Sequence, residues 1–245
     1  MAIDKKVALI TGANRGIGLE TARQLGQKGI TVVVAARTQA AAEETAAKLK
    51  SEGIDAFPVK LDVTSAADRD AAAATVAENF GKLDILINNA GVGARSMFEL
   101  TVSQTTEEEL QTVFGTNVFA VVGVTRAFLP LLKKSDAGRI VNLSSILGSL
   151  TLHADPNSPI ASVKSFAYDA SKSALNAFTI HLVAELKGTN IKVNSAHPGW
   201  VKTDMGGDQA PMELVDGAKT SVELALLPED GPTGRFIHLG KELPW

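Results

Sequence analysis

A short apolar run, Val7-Ala8-Leu9-Ile10, leads directly into Thr11-Gly12-Ala13-Asn14-Arg15-Gly16-Ile17-Gly18 and then a helical pattern to about Lys28. This order constrains the fold more than any other feature of the chain. Four apolar residues in a row suit a strand buried on both faces, as in a parallel sheet. Glycines let the backbone approach a pyrophosphate, and a helix start offers free N–H groups and the positive end of a dipole. Strand, glycine-rich turn and helix together predict a dinucleotide site; a plain tight turn is the competing reading. The spacing is Gly-x-x-x-Gly-x-Gly, so it departs from the G-x-G-x-x-G fingerprint.

The alternation continues without a linker, which predicts one α/β domain over residues 1–245. Strands are expected at 31–36, 56–61, 83–87, 139–143, 191–196 and 235–239, with helices between most of them. Arg37 ends the second strand, 21 positions after Gly16. An acid near this place would hold a ribose 2′-hydroxyl, whereas an arginine suits a 2′-phosphate. No acid occurs from Gly29 to Ala42, and Arg15 and Arg37 are both available, so NADP(H) is inferred. A solvated surface arginine is the alternative for Arg37. Asp62, with Val63 at the third strand's end, could serve an adenine ring or simply stabilise a turn. Asn88-Asn89-Ala90-Gly91 ends the fourth strand and suggests backbone held close to a ligand, or a turn.

Ser65 with Asp68, and Thr106 with Glu109, are spaced to cap helices. The second pair opens a long helix whose buried stripe is Leu110, Phe114, Val121, Val124 and Phe128, ended or kinked late by Pro130. Asn117 falls on that stripe, where an amide needs partners. It either bonds neighbouring backbone or holds a water or a catalytic group. Ser145 follows the fifth strand, at the sheet end where open α/β sheets bind ligands. The stretch 148–164 shows no period and is expected to be a loop over the site.

Tyr168-Asp169-Ala170-Ser171-Lys172 opens a helix to about Lys187, with Leu175, Phe178, Leu182 and Leu186 on one face. Tyr168, the only tyrosine, and Lys172 are four apart and share a side of it. A fixed ammonium favours phenolate and would lower the tyrosine pKa from its usual value of about 10. Amphipathic packing is the plainer explanation of such a pair. His197-Pro198-Gly199-Trp200-Val201-Lys202-Thr203 leaves the sixth strand as a possible lid. Trp200, Met205 and Leu147 could line an apolar pocket or belong to the core.

Composition removes rivals. A net charge of −3 without a basic run argues against nucleic acid. No cysteine is present, and the four histidines lack ligand spacing, so no metal site is expected. No apolar run approaches the ~20 residues of a membrane span, and the polar start is not a secretory signal, so a cytoplasmic protein is expected.

Taken together, Thr11-Gly12-x3-Gly16-x-Gly18, Asn88-Asn89-Ala90-Gly91, Asn117, Ser145, Tyr168-x3-Lys172 and Pro198-Gly199 resemble the short-chain dehydrogenase/reductase family over nearly the whole chain. Val34-Ala35-Ala36-Arg37 and the stretch from Pro198 to Met205 look most like its NADPH-dependent carbonyl reductase branch. The resemblance implies a Rossmann-type doubly wound three-layer sandwich with a seven-stranded parallel sheet. It implies Tyr168 as proton donor, Lys172 as holder of the nicotinamide ribose that depresses the tyrosine pKa, Ser145 as the group orienting the carbonyl oxygen, and Asn117 as anchor of a water. Gly12, Asn14, Arg15, Gly16, Ile17, Gly18, Arg37, Asp62 and Val63 would place one half of the cofactor. Asn89, Ala90, Gly91, Tyr168, Lys172, Pro198, Gly199, Val201 and Thr203 would contact the other.

One departure stands out. Ser145 and Tyr168 are 23 positions apart, longer than is common in the family. In relatives with longer insertions the added segment covers a dimer face, so a monomer is favoured. The expected activity is reduction of a ketone or aldehyde carbonyl. Oxidation of an alcohol with NADP+ and a non-catalytic NADPH-sensing regulator are the alternatives.

Overall fold

The structure is a computed structural model describing residues 5–94 and 101–245. In chain order the elements are β1 (Val7–Thr11), α1 (Gly16–Gln27), β2 (Thr31–Ala36), α2 (Gln39–Ser51), β3 (Ala56–Lys60), α3 (Ala66–Phe80), β4 (Ile85–Asn88) and α4 (Glu107–Phe114). A π-helical segment, Gly115–Ala120, joins α4 to α5 (Val121–Leu132). Then come β5 (Arg139–Leu143), α6 (Leu150–Ala154), α7 (Phe166–Glu185), β6 (Lys192–Ala196), α8 (Leu214–Ala225), β7 (Phe236–His238) and β8 (Lys241–Glu242).

The strands form one sheet in the order β3-β2-β1-β4-β5-β6-β7-β8. Side chains alternate across it and separate two apolar layers. Val7, Leu9, Val33, Ala35 and Ile140 meet α3, α5 and α7 through Val76, Phe128 and Leu182. Ala8, Ile10, Val32, Val34 and Val141 meet α1, α2 and α8 through Leu25, Leu49 and Val222. This is the expected doubly wound sandwich.

Four expectations need correction. The sheet has an eighth strand, antiparallel to β7. The turn between them places Leu239 (φ 45°) and Gly240 (φ 75°) in the left-handed region. That is type I′ hairpin geometry. A leucine is a poor signal for such a turn, so the hairpin was hidden; its amide is held by the Thr220 hydroxyl at 2.9 Å. Second, the segment read as a loop at 148–164 contains α6, capped by Ser149, whose hydroxyl accepts from Leu152 N.

Third, the long helix is not uniformly α: it widens into the π segment around Asn117. Thr106 does cap its start, its Oγ1 accepting from Glu109 N at 3.2 Å, and Pro130 is carried inside α5, two residues before its end. Fourth, the combined helix Glu107–Leu132 is long and apolar enough to cross a membrane by length and composition, contrary to the sequence expectation. Its inner stripe of Val124, Phe128 and Leu131 lies in the sheet-facing core.

Candidate active site

The strand order reverses at β1, whose neighbours are β2 and β4. Ligands of open α/β sheets bind at such a point, beyond the carboxyl ends of the strands. Here those ends are tied by Thr11. Its hydroxyl oxygen accepts from Asn89 N at 3.0 Å and Ala90 N at 2.9 Å. The Asn89 amide returns the connection, donating to Thr11 O at 2.7 Å and Gly12 O at 3.3 Å. Asn89, which the resemblance puts in contact with the cofactor, therefore shapes the glycine loop with its side chain. Thr11, which sequence reasoning did not rank as a site residue, is the centre of the knot. A Ser or Thr ending a strand just before a glycine turn would have been the only clue.

Two glycines show where the loop leaves little room for a side chain. Gly12 has φ +63°, and a Cβ there would lie 3.2 Å from Ala90 Cα. A Cβ on Gly18 would stand 2.4 Å from Asn89 Nδ2 and 2.5 Å from Gly12 O. Arg15, the residue before α1, offers no side-chain cap. The helix start at Gly16, Ile17 and Gly18 is thus an open anion-binding end. Arg15 itself is exposed, like Asn14, and ion-paired with Asp204. Thr203 approaches the same loop: its methyl lies 3.9 Å from where a Gly16 Cβ would be.

Around β2 and β3 the predicted residues divide. Arg37 is exposed at the sheet's carboxyl end. Asp62 makes a turn: its Oδ1 accepts from Thr64 Oγ1 at 2.7 Å and Thr64 N at 2.9 Å. These bonds hold its carboxyl below the usual range, with a smaller contribution from Arg37. Val63 packs into the core instead.

The second cluster lies at the ends of β4 and β5 and the start of α7. The Ser145 hydroxyl acts on the Tyr168 phenol, favouring its ionised form. Lys172 Nζ sits 5.5 Å from the centroid of the Tyr168 ring and donates to Leu143 O at 2.8 Å. Gly91 faces this group; a Cβ on it would be 3.2 Å from Asn117 Oδ1 and 3.8 Å from Lys172 Nζ. Asn117 is fully buried. It pairs with Val92 as a strand would, accepting from its N and donating to its O, both at 2.9 Å. It also donates to Ser171 Oγ at 3.1 Å, and that hydroxyl donates to Tyr168 O at 2.7 Å. The bonds to Val92 match the first sequence reading of Asn117, a bond to backbone, and through Ser171 it also reaches the Tyr168 carbonyl.

The expected depression of the tyrosine pKa is not what the geometry produces. Burial pushes the Tyr168 phenol up to about 12, against a smaller lowering from Ser145 and with a further rise from Asp169. Burial also brings the Lys172 ammonium down to about 8. Lys172 lies over the ring face and spends a hydrogen bond on Leu143, so desolvation outweighs its field. Near neutral pH the phenol is protonated and able to donate. The roles of Leu143 and Ser171 are backbone and small-hydroxyl contacts with no signal in sequence.

Pro198 and Gly199 leave β6 with Gly199 at φ +92°, where a Cβ would strike Met212 Sδ at 2.1 Å. Val201 is buried and bridges to Met212. Thr203 Oγ1 accepts from Gly206 N at 2.9 Å and closes the following turn. Trp200 and Met205 are exposed and Leu147 is half-buried, so none of the three belongs to the core. At the opposite end of the sheet a hollow of about 810 Å3 is lined by Lys6, Arg139, Lys187 and Pro228. The Arg139 guanidinium donates to the carbonyls of Leu227, Gly138, Asn190 and Pro228, so its own donors are spent inside the chain.

A family model described as short chain dehydrogenase matches residues 6–214, and the chain belongs to that family. The short-chain dehydrogenase anuI of Penicillium roqueforti is 39% identical over 231 residues, covering 91% of this chain and 90% of its own length. NADPH carbonyl reductase 1 of Mus musculus is 30% identical, with 100% of both chains covered. The crystal structure of NADPH-bound carbonyl reductase from chicken fatty liver superposes with a TM-score of 0.85 at 33% identity, covering 98% of this chain and 99% of that one.

Proposed function

We propose that the chain is an NADPH-dependent reductase of ketone or aldehyde carbonyls. The observation that carries this reading is the convergence of Ser145, Tyr168 and Lys172, with the ammonium 5.5 Å from the tyrosine ring centroid, at the same sheet end as the glycine loop. The glycine turn and the uncapped start of α1 at Gly16 fit a dinucleotide's phosphates, and Arg15 and Arg37 suit a 2′-phosphate. The NADPH named in the carbonyl reductase relatives agrees.

When bound, the nicotinamide supplies hydride to the carbonyl carbon. The chain's own groups do the rest. Ser145 and Tyr168 donate toward the oxygen as it gains negative charge, in a site where preorganised donors act strongly. Tyr168 gives up its proton to that oxygen, and its high pKa keeps the proton available until charge develops. Lys172 would bond the cofactor's ribose, and Asn117 would hold a water in the path that restores the proton. The chain takes a small molecule as its partner and works in the cytoplasm as a monomer, with the 149–165 segment laid against α7 through His153, Lys164 and Asp169.

The test is NADPH oxidation over a panel of ketones and aldehydes. Tyr168→Phe is expected to lower turnover ~100-fold or more while NADPH still binds by fluorescence titration. A fully active Tyr168→Phe enzyme removes the assigned role. Tight NADPH binding with no turnover by the wild type favours a regulator instead.

A further inference from the structure

The residue that follows β6 is a buried histidine which the mechanism above does not use. Its backbone is held on both sides: His197 N donates to Ile237 O at 2.8 Å, and His197 O lies 2.9 Å from His238 Nδ1. A carbonyl can only accept, so His238 carries its proton on Nδ1. One residue earlier, Ala196 O accepts from Ser144 N at 2.8 Å. The His197 ring is therefore fixed in the seam where β5, β6 and β7 end.

Its Nδ1 faces two amides, Ile146 N at 3.2 Å and Gly199 N at 3.4 Å. Amides can only donate, so Nδ1 is an acceptor and the ring proton is on Nε2. Burial, with the nearby His238, brings the imidazole down to about 3, so it stays neutral and keeps that lone pair. The Ile146 amide belongs to the peptide that begins at Ser145. The carbonyl of that peptide is taken by Gly148 N at 2.8 Å. With both its N–H and its C=O held, the peptide cannot turn about the Ser145 backbone. The Ser145 hydroxyl, which accepts from Leu147 N at 3.2 Å and acts on the Tyr168 phenol, is aimed accordingly.

We propose that His197 is a positioning residue: its Nδ1 gathers the Ile146 and Gly199 amides and so sets the angle at which Ser145 meets the reacting oxygen. The role rests on the reductase reading, since it concerns where Ser145 stands in that reaction. It also joins the serine turn to the Pro198–Gly199 turn through a single atom.

The test exploits bond topology. Asparagine carries an acceptor on Cγ, where histidine carries Nδ1; glutamine carries it one carbon further out. His197→Gln is expected to lower kcat about tenfold with little change in KM, and His197→Asn to recover it to within about threefold. In a Ser145→Ala background the glutamine substitution should change kcat less than about twofold, because there is no hydroxyl left to aim. Hydrogen exchange gives a readout without turnover: the Ile146 and Gly199 amides should lose protection in His197→Gln and keep it in His197→Asn. If the glutamine variant does not fold, His197→Ala takes its place. Additive losses in the Ser145→Ala background, equal behaviour of the Asn and Gln variants, or unchanged exchange at Ile146 each overturn the proposal. If the wild type reduces no carbonyl, the reductase reading falls, and the exchange experiment still decides whether His197 holds Ile146.

Discussion

Lys172 is a buried cation with no ion-pair partner among the described residues. Burial has drawn its proton affinity from 10.5 down to about 8. The folded chain therefore sheds this proton at lower pH than the unfolded chain does. Below about pH 7 both states hold it and the difference is constant. As pH rises from about 8 toward 10.5, only the unfolded chain keeps it, so the folded state gains stability. Relative to Lys172→Met, the wild type should gain about 3 kcal/mol across that window and nothing between pH 6 and pH 7, judged at about 1.4 kcal/mol per unit. Urea unfolding of both ligand-free proteins at pH 7 and pH 10 measures it; parallel profiles would mean that Lys172 keeps its ordinary affinity for protons. The Tyr168–Lys172 pair was legible from spacing alone, because i and i+4 share a helix face. The sign of the tyrosine's shift was not, since burial depends on what packs over the ring.

At the scale of elements, the turn from β1 to α1 depends on contacts with the turn after β4. Helix propensity by itself favours alanine over glycine at Gly18 by about 1 kcal/mol. The overlap with Asn89 Nδ2 and Gly12 O at about 2.5 Å opposes it and should win, because neither atom is the tip of a free side chain. Gly18→Ala is expected to lower the melting temperature and weaken NADPH binding about tenfold, read by thermal unfolding and fluorescence titration. A higher melting temperature with unchanged affinity would show that the loop yields. The glycines were visible in sequence as a pattern; what each one faces was not. The π segment at Gly115–Ala120 is a similar case. Periodicity placed Asn117 on the inward stripe, and it is fully buried. Its partner Val92 lies 25 residues away, out of reach of any helix period.

Across the whole molecule the two ends of the site are borne by different strands. Arg37 follows β2, and Ser145 follows β5, three strand spacings away through β1 and β4. At about 4.8 Å each this is roughly 14 Å. Coenzyme choice and chemistry should then separate. Arg37→Asp is expected to weaken NADPH by about tenfold or more relative to NADH, while kcat at saturating coenzyme changes less than about threefold. Initial rates with both coenzymes measure it, and an unchanged preference removes Arg37 from the site.

Alternating apolar runs and amphipathic stretches determined the layered sheet, since burial of a strand or a helix face is written at periods of two and 3.6 residues. The glycine loop, the serine at a strand end and the tyrosine–lysine step were likewise local facts of the chain. Tertiary structure alone decided that Thr11 would knot two strand ends, that the Leu143 carbonyl would accept from the Lys172 ammonium and that His197 would reach Ile146. Most of these are single hydrogen bonds between residues far apart in sequence. Strand register brings them together, and no propensity or spacing along the chain records it.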